Sequence, residues 1–377
     1  MKITFICSSL QIGSDGVGDY VRRLACELIK TGHQVNAIAL KDSYTSVIET
    51  DVQVFDNIEL QVFRLPASLN TVDRYNYLSK QVNLFKPDVI SLQYVGFGFH
   101  KYGLPLDILL NLRKAIGSTR LQIMLHELWC GMAVNAGFKE KVLGNLQKLF
   151  LKTLITVLNP ETIFTSIKPY LLFLKTIGIN ATVVPIFGNI PTNEFGSDSD
   201  WENLTKSANL SNLISPPQKW LVLGFFGTTY NCPGLDKLLN TASIAAQSAG
   251  LNLGILAIGH SRGQNVGDMA QNMRNVTYWQ TGALSPGMIN HCMQLVDIGV
   301  VTSPVDGIDK SGSAITWMER GIPVIISAND KTYIEHEMPK LGIYQASSPG
   351  AVVNAYKAKK VLKPKSNLKA AVIAYAK

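Results

Sequence analysis

The sequence predicts an α/β protein built from two parallel-sheet, Rossmann-like domains. Three observations predict it. From the N-terminus onward, short apolar runs alternate with segments of helical spacing. A polar stretch with prolines at both ends, 191–218, interrupts that alternation. The alternation then begins again at residue 220. The length of 377 residues exceeds one ordinary core and suits two. With 46% hydrophobic and 16% charged residues, packed cores are expected rather than disorder.

Residues 2–7 (KITFIC) read as a buried strand. The stretch 17–31 carries Val21, Leu24, Ala25, Leu28 and Ile29 at helical spacing, and Gly32 ends it. Residues 34–40 (QVNAIAL), 86–93 (KPDVISLQ) and 121–126 (LQIMLH) read as further strands. After the polar stretch come WLVLGFFG (220–227), a helix from about Leu235 to Ala249, NLGILAIG (252–259), VTYWQTG (276–282) and VDIGVVT (296–302). A last helix is expected from Gly312 to Arg320, stopped by Gly321 with Pro323 beyond it. The implied division is 1–190, a linker 191–218, 219–355, and a basic tail or helix 356–377. Two such domains should face each other across a cleft.

Charge is uneven. The net charge is +8, and the seven lysines from Lys357 onward, with no acid among them, account for nearly all of it. A basic tail of this kind can touch anionic lipid, or it is simply solvated. No nucleic-acid-binding motif is present, so nucleic acid is not an expected partner. Five scattered cysteines suggest neither a disulfide framework nor a zinc pattern. MKITFICSSL lacks the cleavage site of a signal peptide, and no apolar run is long enough to span a bilayer. A cytoplasmic protein is expected, peripheral at most to the inner face of a membrane. The stretch Lys141–Gly178, apolar with interspersed lysines, reads as half-buried helices or as a membrane-surface segment.

Chemistry should gather at the carboxyl ends of the strands. VDIGVVT leads into SPVDGIDK and then Ser311-Gly312-Ser313 at a helix start. The first amides of a helix lack intrahelical partners. Ser311 or Ser313 can cap them, Gly312 lets a ligand approach the backbone, and Lys310 adds positive charge. Together they read as a phosphate site; the alternative is a capped helix with a surface lysine. Gly16 and Gly18 precede another helix start. With Asp42 near the end of the next strand they resemble a dinucleotide fingerprint, but Val21 stands at the third glycine position. His126 ends a strand and can contact substrate or serve the core. Tyr94, Glu127 and Trp129 can line an acceptor pocket; aromatic residues there are as readily core. Thr228, Thr229, His260 and Arg262 follow strands of the second half.

The segments GVGDYVRRLACELIKTGHQV, LHELW, VVPIFGNIP, LGFFGTTYNCPGLDKLLNTA and DIGVVTSPVDGIDKSGSAITWMERGIPVI occur in an order that resembles the GT-B glycosyltransferases of family four. The resemblance spans roughly residues 1–350. It implies a GT-B fold and a nucleotide-diphosphate sugar as co-substrate, held mainly by the C-terminal domain, with no cofactor. It also implies a glycan, lipid or small-molecule acceptor on the N-terminal domain, and hexosyl-type transfer with retention and without a metal. His126 falls at the family's acceptor-side histidine. The family's two donor-loop acids fall at Ile308 and Thr316, and its phosphate cations at Thr228 and Pro233. The chain departs from the pattern at all four positions, and Lys310 and Arg262 are the candidate replacements. A non-catalytic sugar-nucleotide-binding or partner protein is the alternative. The expected donor set is therefore Gly16, Gly18, Thr228, Arg262, Lys310, Ser311, Gly312, Ser313 and Thr316.

Overall fold

The computed structural model describes residues 1–133, 135–215, 219–229, 232, 234–263, 265–303, 305–327 and 342–377. They form two compact units, one of Met1–Asn189 with Asn367–Lys377, the other of Ile190–Ser366.

The first unit is built on β1 (Lys2–Cys7), β2 (Gln34–Asp42), β3 (Glu49–Phe55), β4 (Ile58–Pro66), β5 (Val89–Tyr94), β6 (Arg120–Leu125), β7 (Thr162–Thr165) and β8 (Thr182–Val183). Their order is β3-β4-β2-β1-β5-β6-β7-β8. All neighbours are parallel except β3 and β4, a hairpin closed by Asp56 and Asn57 at positive φ. The second unit carries β9 (Trp220–Thr229), β10 (Asn252–Gly263), β11 (Val276–Gln280), β12 (Ile298–Val301), β13 (Val324–Ile326) and β14 (Ile343–Gln345). Its order is β11-β10-β9-β12-β13-β14, and every pair is parallel. This is the doubly wound order, with a topological switch point between β9 and β12. The central strands are buried on both faces, as β5 and β12 are throughout, which is why they read as unbroken apolar runs.

Helices begin where the sequence supplies a cap. Asp15 accepts the Gly18 amide at 2.7 Å and starts Gly16–Lys30. Ser311 caps Gly312–Met318, and Gly321, at φ +70°, turns the chain toward β13. That short helix is held down by Trp317, which is fully buried. A Cβ on Gly299 would lie 2.4 Å from its ring, and one on Gly224 2.7 Å. The two strand glycines thus clear room for the indole.

One segment differs from expectation, and a second takes the helical form of the two that the sequence leaves open. The polar stretch expected as a linker holds helices Asp198–Ser207 and Ser211–Ile214, within the second unit. Leu204, Leu210 and Leu213 enter its core, and the Trp220 and Trp279 indoles donate to the carbonyls of Asn212 and Asn209. The basic stretch 356–377, expected as a tail or a helix, holds helical residues at both ends. Pro349–Ala358 is a helix of the second unit, and Leu368–Tyr375 is a helix of the first. Ala371, Val372 and Tyr375 are buried among residues of the β1 core. The lysines between lie mostly in the exposed connection, and Lys359 pairs with Asp297 at 3.0 Å.

Candidate active site

Parallel strands put all their carboxyl ends on one edge, and the candidate residues of each unit gather there. In the second unit β9 ends at Thr228–Thr229, paired in register with Arg262–Gly263 of β10. On the other side of β9, β12 leads into a 3-10 turn, Val305–Lys310, and the Gly312–Met318 helix. Thr228 and the Lys310–Ser313 loop therefore flank the switch point. Thr228 is exposed, Lys310 and Ser313 are half-buried, and Gly312 is exposed with open space where a Cβ would stand. Ser311 Oγ accepts the Ala314 amide at 3.4 Å and lies 3.3 Å from Ser303 Oγ and 3.1 Å from Ser313 Oγ. A chain of small hydroxyls thus stands beside the helix start. The Arg262 side chain, like that of His260, lies outside the described residues, as does Pro233.

Thr316 does not join this group. It is buried, and its hydroxyl donates to the Gly312 carbonyl at 2.7 Å, so the structure gives it a helix-internal role instead of the donor contact expected. Ile308, at the other donor-loop acid position, is core.

In the first unit the switch point lies between β1 and β5, and the same logic brings together the Gly16 turn, Tyr94 and His126. Gly16 has open space around its α-carbon. Gly18 does not: a Cβ there would lie 2.6 Å from the Ser9 carbonyl oxygen, so this glycine serves helix–loop packing. Asp42 is fully buried and takes four donors, two on each oxygen. Ser9 Oγ and the Tyr44 amide reach Oδ1; the Leu10 amide and Arg64 Nε reach Oδ2. No lone pair is left for a ribose, which removes the dinucleotide reading of the Gly16, Gly18 and Asp42 pattern.

His126 is buried in a polar chain. Its Nε2 lies 2.8 Å from Gln93 Oε1, which also accepts from the Tyr375 hydroxyl at 3.4 Å. Because Gln93 offers an acceptor, Nε2 carries the proton. The Tyr20 ring meets the imidazole edge-on at 4.9 Å, and the Tyr20 hydroxyl donates to Tyr375 at 3.5 Å. Burial pushes the Tyr375 phenol up to about 12, so it stays neutral. Tyr94 and Trp129 are core residues and not the pocket lining expected: Tyr94 stacks on Phe99, and Trp129 packs on Phe173 under Lys148. Glu127 remains half-exposed beside them.

The sequence reading missed Tyr20, Gln93 and Tyr375 as the frame of His126. Only Gln93 carried a signal, as a polar residue in an apolar strand. A separate cavity of about 430 Å³ in the second unit is lined by Phe195, Asn290, Met293, Glu319, Arg320 and Lys359 among others. It lies at the carboxyl end of the Gly312–Met318 helix, away from the switch point. There Arg320 donates to Asn290 Oδ1 and to the carbonyls of Thr316, Ile190 and Pro191, which pins the start of the second unit. Among the described residues no group of three His, Cys, Asp or Glu side chains is placed to hold a metal ion.

No protein-family model and no curated protein matches the chain. Solved structures do. The chain is similar to the crystal structure of TarM, with a TM-score of 0.55 at 8% identity over 100% of this chain and 98% of that one. It is also similar to an alpha,alpha-trehalose-phosphate synthase (UDP-forming) from Burkholderia xenovorans in complex with glucose-6-phosphate. There the TM-score is 0.50 at 10% identity, over 99% of this chain and 95% of that one. Identities this low speak to architecture alone. The chain has the fold of these proteins, the two-domain α/β class, GT-B, that its sequence predicts.

Proposed function

We propose that the protein is a glycosyltransferase that moves a sugar from a nucleotide-diphosphate donor to a glycan, lipid or small-molecule acceptor, with retention and without a metal. The observation that carries the reading is the second unit's switch point, where Lys310, the Ser311 cap and the open Gly312 stand at one helix start. One of the two similar structures bears a name that records UDP as its product, which fits a diphosphate there. Transfer of this kind asks little covalent work of the protein. The sugar leaves with oxocarbenium character, and the departing diphosphate needs fixed amides and a cation. Lys310 and the first amides of the helix supply both, and the acceptor hydroxyl has to be held against the anomeric carbon.

Calorimetric titration tests the donor site. A charge-assisted contact is worth about 1.5–3 kcal/mol, so Lys310→Ala should weaken nucleoside diphosphate binding roughly ten- to a hundredfold. A nucleoside without phosphate should bind both proteins alike. Gly312→Val should fold, since the space is open, yet bind diphosphate worse still because its branches cover the amides. Unchanged diphosphate affinity in Lys310→Ala would leave the loop a helix cap and nothing more.

His126→Ala should lower transfer on the order of a hundredfold. It should leave diphosphate affinity unchanged, because the histidine belongs to the other unit's switch point. Thermal melts must accompany the rates, since the substitution also removes the Gln93 partner. Wild-type turnover in the variant would confine His126 to the polar chain of the core. A second reading, a binding or partner protein without transfer, is favoured by Ile308 and Thr316. Neither position offers a carboxylate, and both side chains are buried. Incubating the purified protein with nucleotide sugars and assaying released diphosphate decides between the two.

A further inference from the structure

The helix Phe138–Leu158 of the first unit is apolar on two opposite faces. At about 100° per residue, Gly144, Gln147, Phe150, Leu151, Leu154 and Leu158 share one face, and that face is buried. On the other side Phe138, Val142, Leu146, Leu149 and Val157 fall within an arc of about 100°, interspersed with Lys139, Thr153 and Thr156. They are exposed: Phe138 83%, Leu149 65%, Leu146 53%, Val142 45% and Val157 48%. Lys141, Lys148 and Lys152 form a row between the two faces. A solvated helix has no reason to carry an outer apolar stripe, and an interior one would have it covered.

The neighbourhood repeats the pattern. Lys148 lies over the Trp129 ring, which also meets Phe173 of the Lys168–Thr176 helix in a T-shaped contact. That helix exposes Leu172 between Lys168 and Lys175, one and two turns apart on one face. The Leu106–Ile116 helix packs beside the long helix, with Tyr102 bound to Gln147 and Arg113 to the Leu158 carbonyl. It exposes Leu106, Leu110 and Lys114 in a row. Glu140, the one acid of the long helix, is occupied by the Gly137 amide.

We propose that this face of the first unit docks on an anionic lipid bilayer, the stripe entering the headgroup–acyl boundary and the lysines meeting lipid phosphates. An exposed apolar stripe flanked by lysines has the chemistry of an interfacial helix. A second copy of the chain fits less well, because lysine is depleted from protein–protein interfaces and like rows would face one another. The lysines at the carboxyl end of the chain, which the sequence leaves to touch anionic lipid or to be solvated, flank a helix buried in the first unit's core. The assignment does not depend on the transfer reading, and its test contains no donor.

The full chain is sedimented with vesicles of phosphatidylcholine alone or with phosphatidylglycerol added, at low and high salt. Binding to the anionic vesicles that falls with salt is expected. Each basic contact at such a surface contributes about fivefold, so Lys141→Gln/Lys152→Gln/Lys175→Gln together should reduce partitioning on the order of a hundredfold. Leu146→Ser/Leu149→Ser should reduce it as well, at unchanged salt dependence. All five positions are exposed, and thermal melts matching wild type would establish that the variants are folded. Wild type that ignores anionic vesicles overturns the proposal, as do variants that bind like wild type. So does a concentration-dependent dimer that Leu146→Ser/Leu149→Ser makes monomeric, since the face would then join two copies.

Discussion

Cutting the chain after Ser366 is expected to unfold the first unit. The removed segment is only the end of the lysine-bearing stretch, but its helix, Leu368–Tyr375, fills the core beside β1. Tyr375 is fully buried, its ring centroid 5.7 Å from that of Phe5 and 5.1 Å from that of Phe164. Replacing a buried aromatic by alanine costs about 3–5 kcal/mol. That is a large part of the stability of an ordinary domain, so Tyr375→Ala alone should lower the denaturation midpoint strongly. Hydrogen exchange resolves the location: amides of β1 and β7 should lose protection while those of β9 and β12 keep it. Tyr375→Phe separates packing from polarity. It keeps the ring and removes only the hydroxyl, which donates to Gln93 and accepts from Tyr20, so it should cost about 1–3 kcal/mol. A truncated chain that melts and exchanges like wild type would show the helix to be a passenger.

Why the docking of the carboxyl-terminal helix in the first unit was not legible in the sequence follows from the same contacts. Its partners, Phe5, Tyr20, Gln93 and Phe164, are hundreds of residues away, and no local pattern encodes such a return. The strands were legible because a parallel strand buried on both faces must be an apolar run, as in KITFIC and VDIGVVT. The β3–β4 hairpin was missed although its signal was present: Asp56-Asn57 sits between two alternating stretches. The helices within 191–218 were masked by polar composition, yet Leu204, Leu210 and Leu213 were the residues that betray them. At the site, glycines were the least decipherable. Gly16 and Gly18 look alike in sequence, but one faces open space and the other the Ser9 carbonyl. Gly224 and Gly299 were silent until Trp317 was seen to lie against them.

Asp42→Asn is expected to cost about 3–5 kcal/mol at neutral pH, the usual penalty for breaking one side of a buried ion pair. Asp42 joins the end of β2 to the loop after β1 through Ser9 and Leu10, and to β4 through Arg64. Arg64 extends the lock to Glu49 and Gln11. Burial works against the charged carboxylate, but the Arg64 guanidinium and the Leu10 and Tyr44 amides outweigh it and hold the Asp42 carboxyl below its ordinary value. The sign of the pH dependence follows. A depressed folded-state value means that the contribution is complete above the ordinary carboxylate range and is lost as pH falls through the folded value. The stability gap between wild type and Asp42→Asn should therefore be constant from neutral pH down to about 5 and close below that. Arg64→Met leaves the buried carboxylate without its cation and should cost a similar amount, while Asp42→Asn/Arg64→Met together should cost less than the sum. A dinucleotide-binding acid would behave otherwise: its loss would change ligand affinity and spare the fold. NAD affinity that Asp42→Asn alters at unchanged stability would restore the dinucleotide reading, and additive losses in the double variant would show that carboxylate and guanidinium are not one lock.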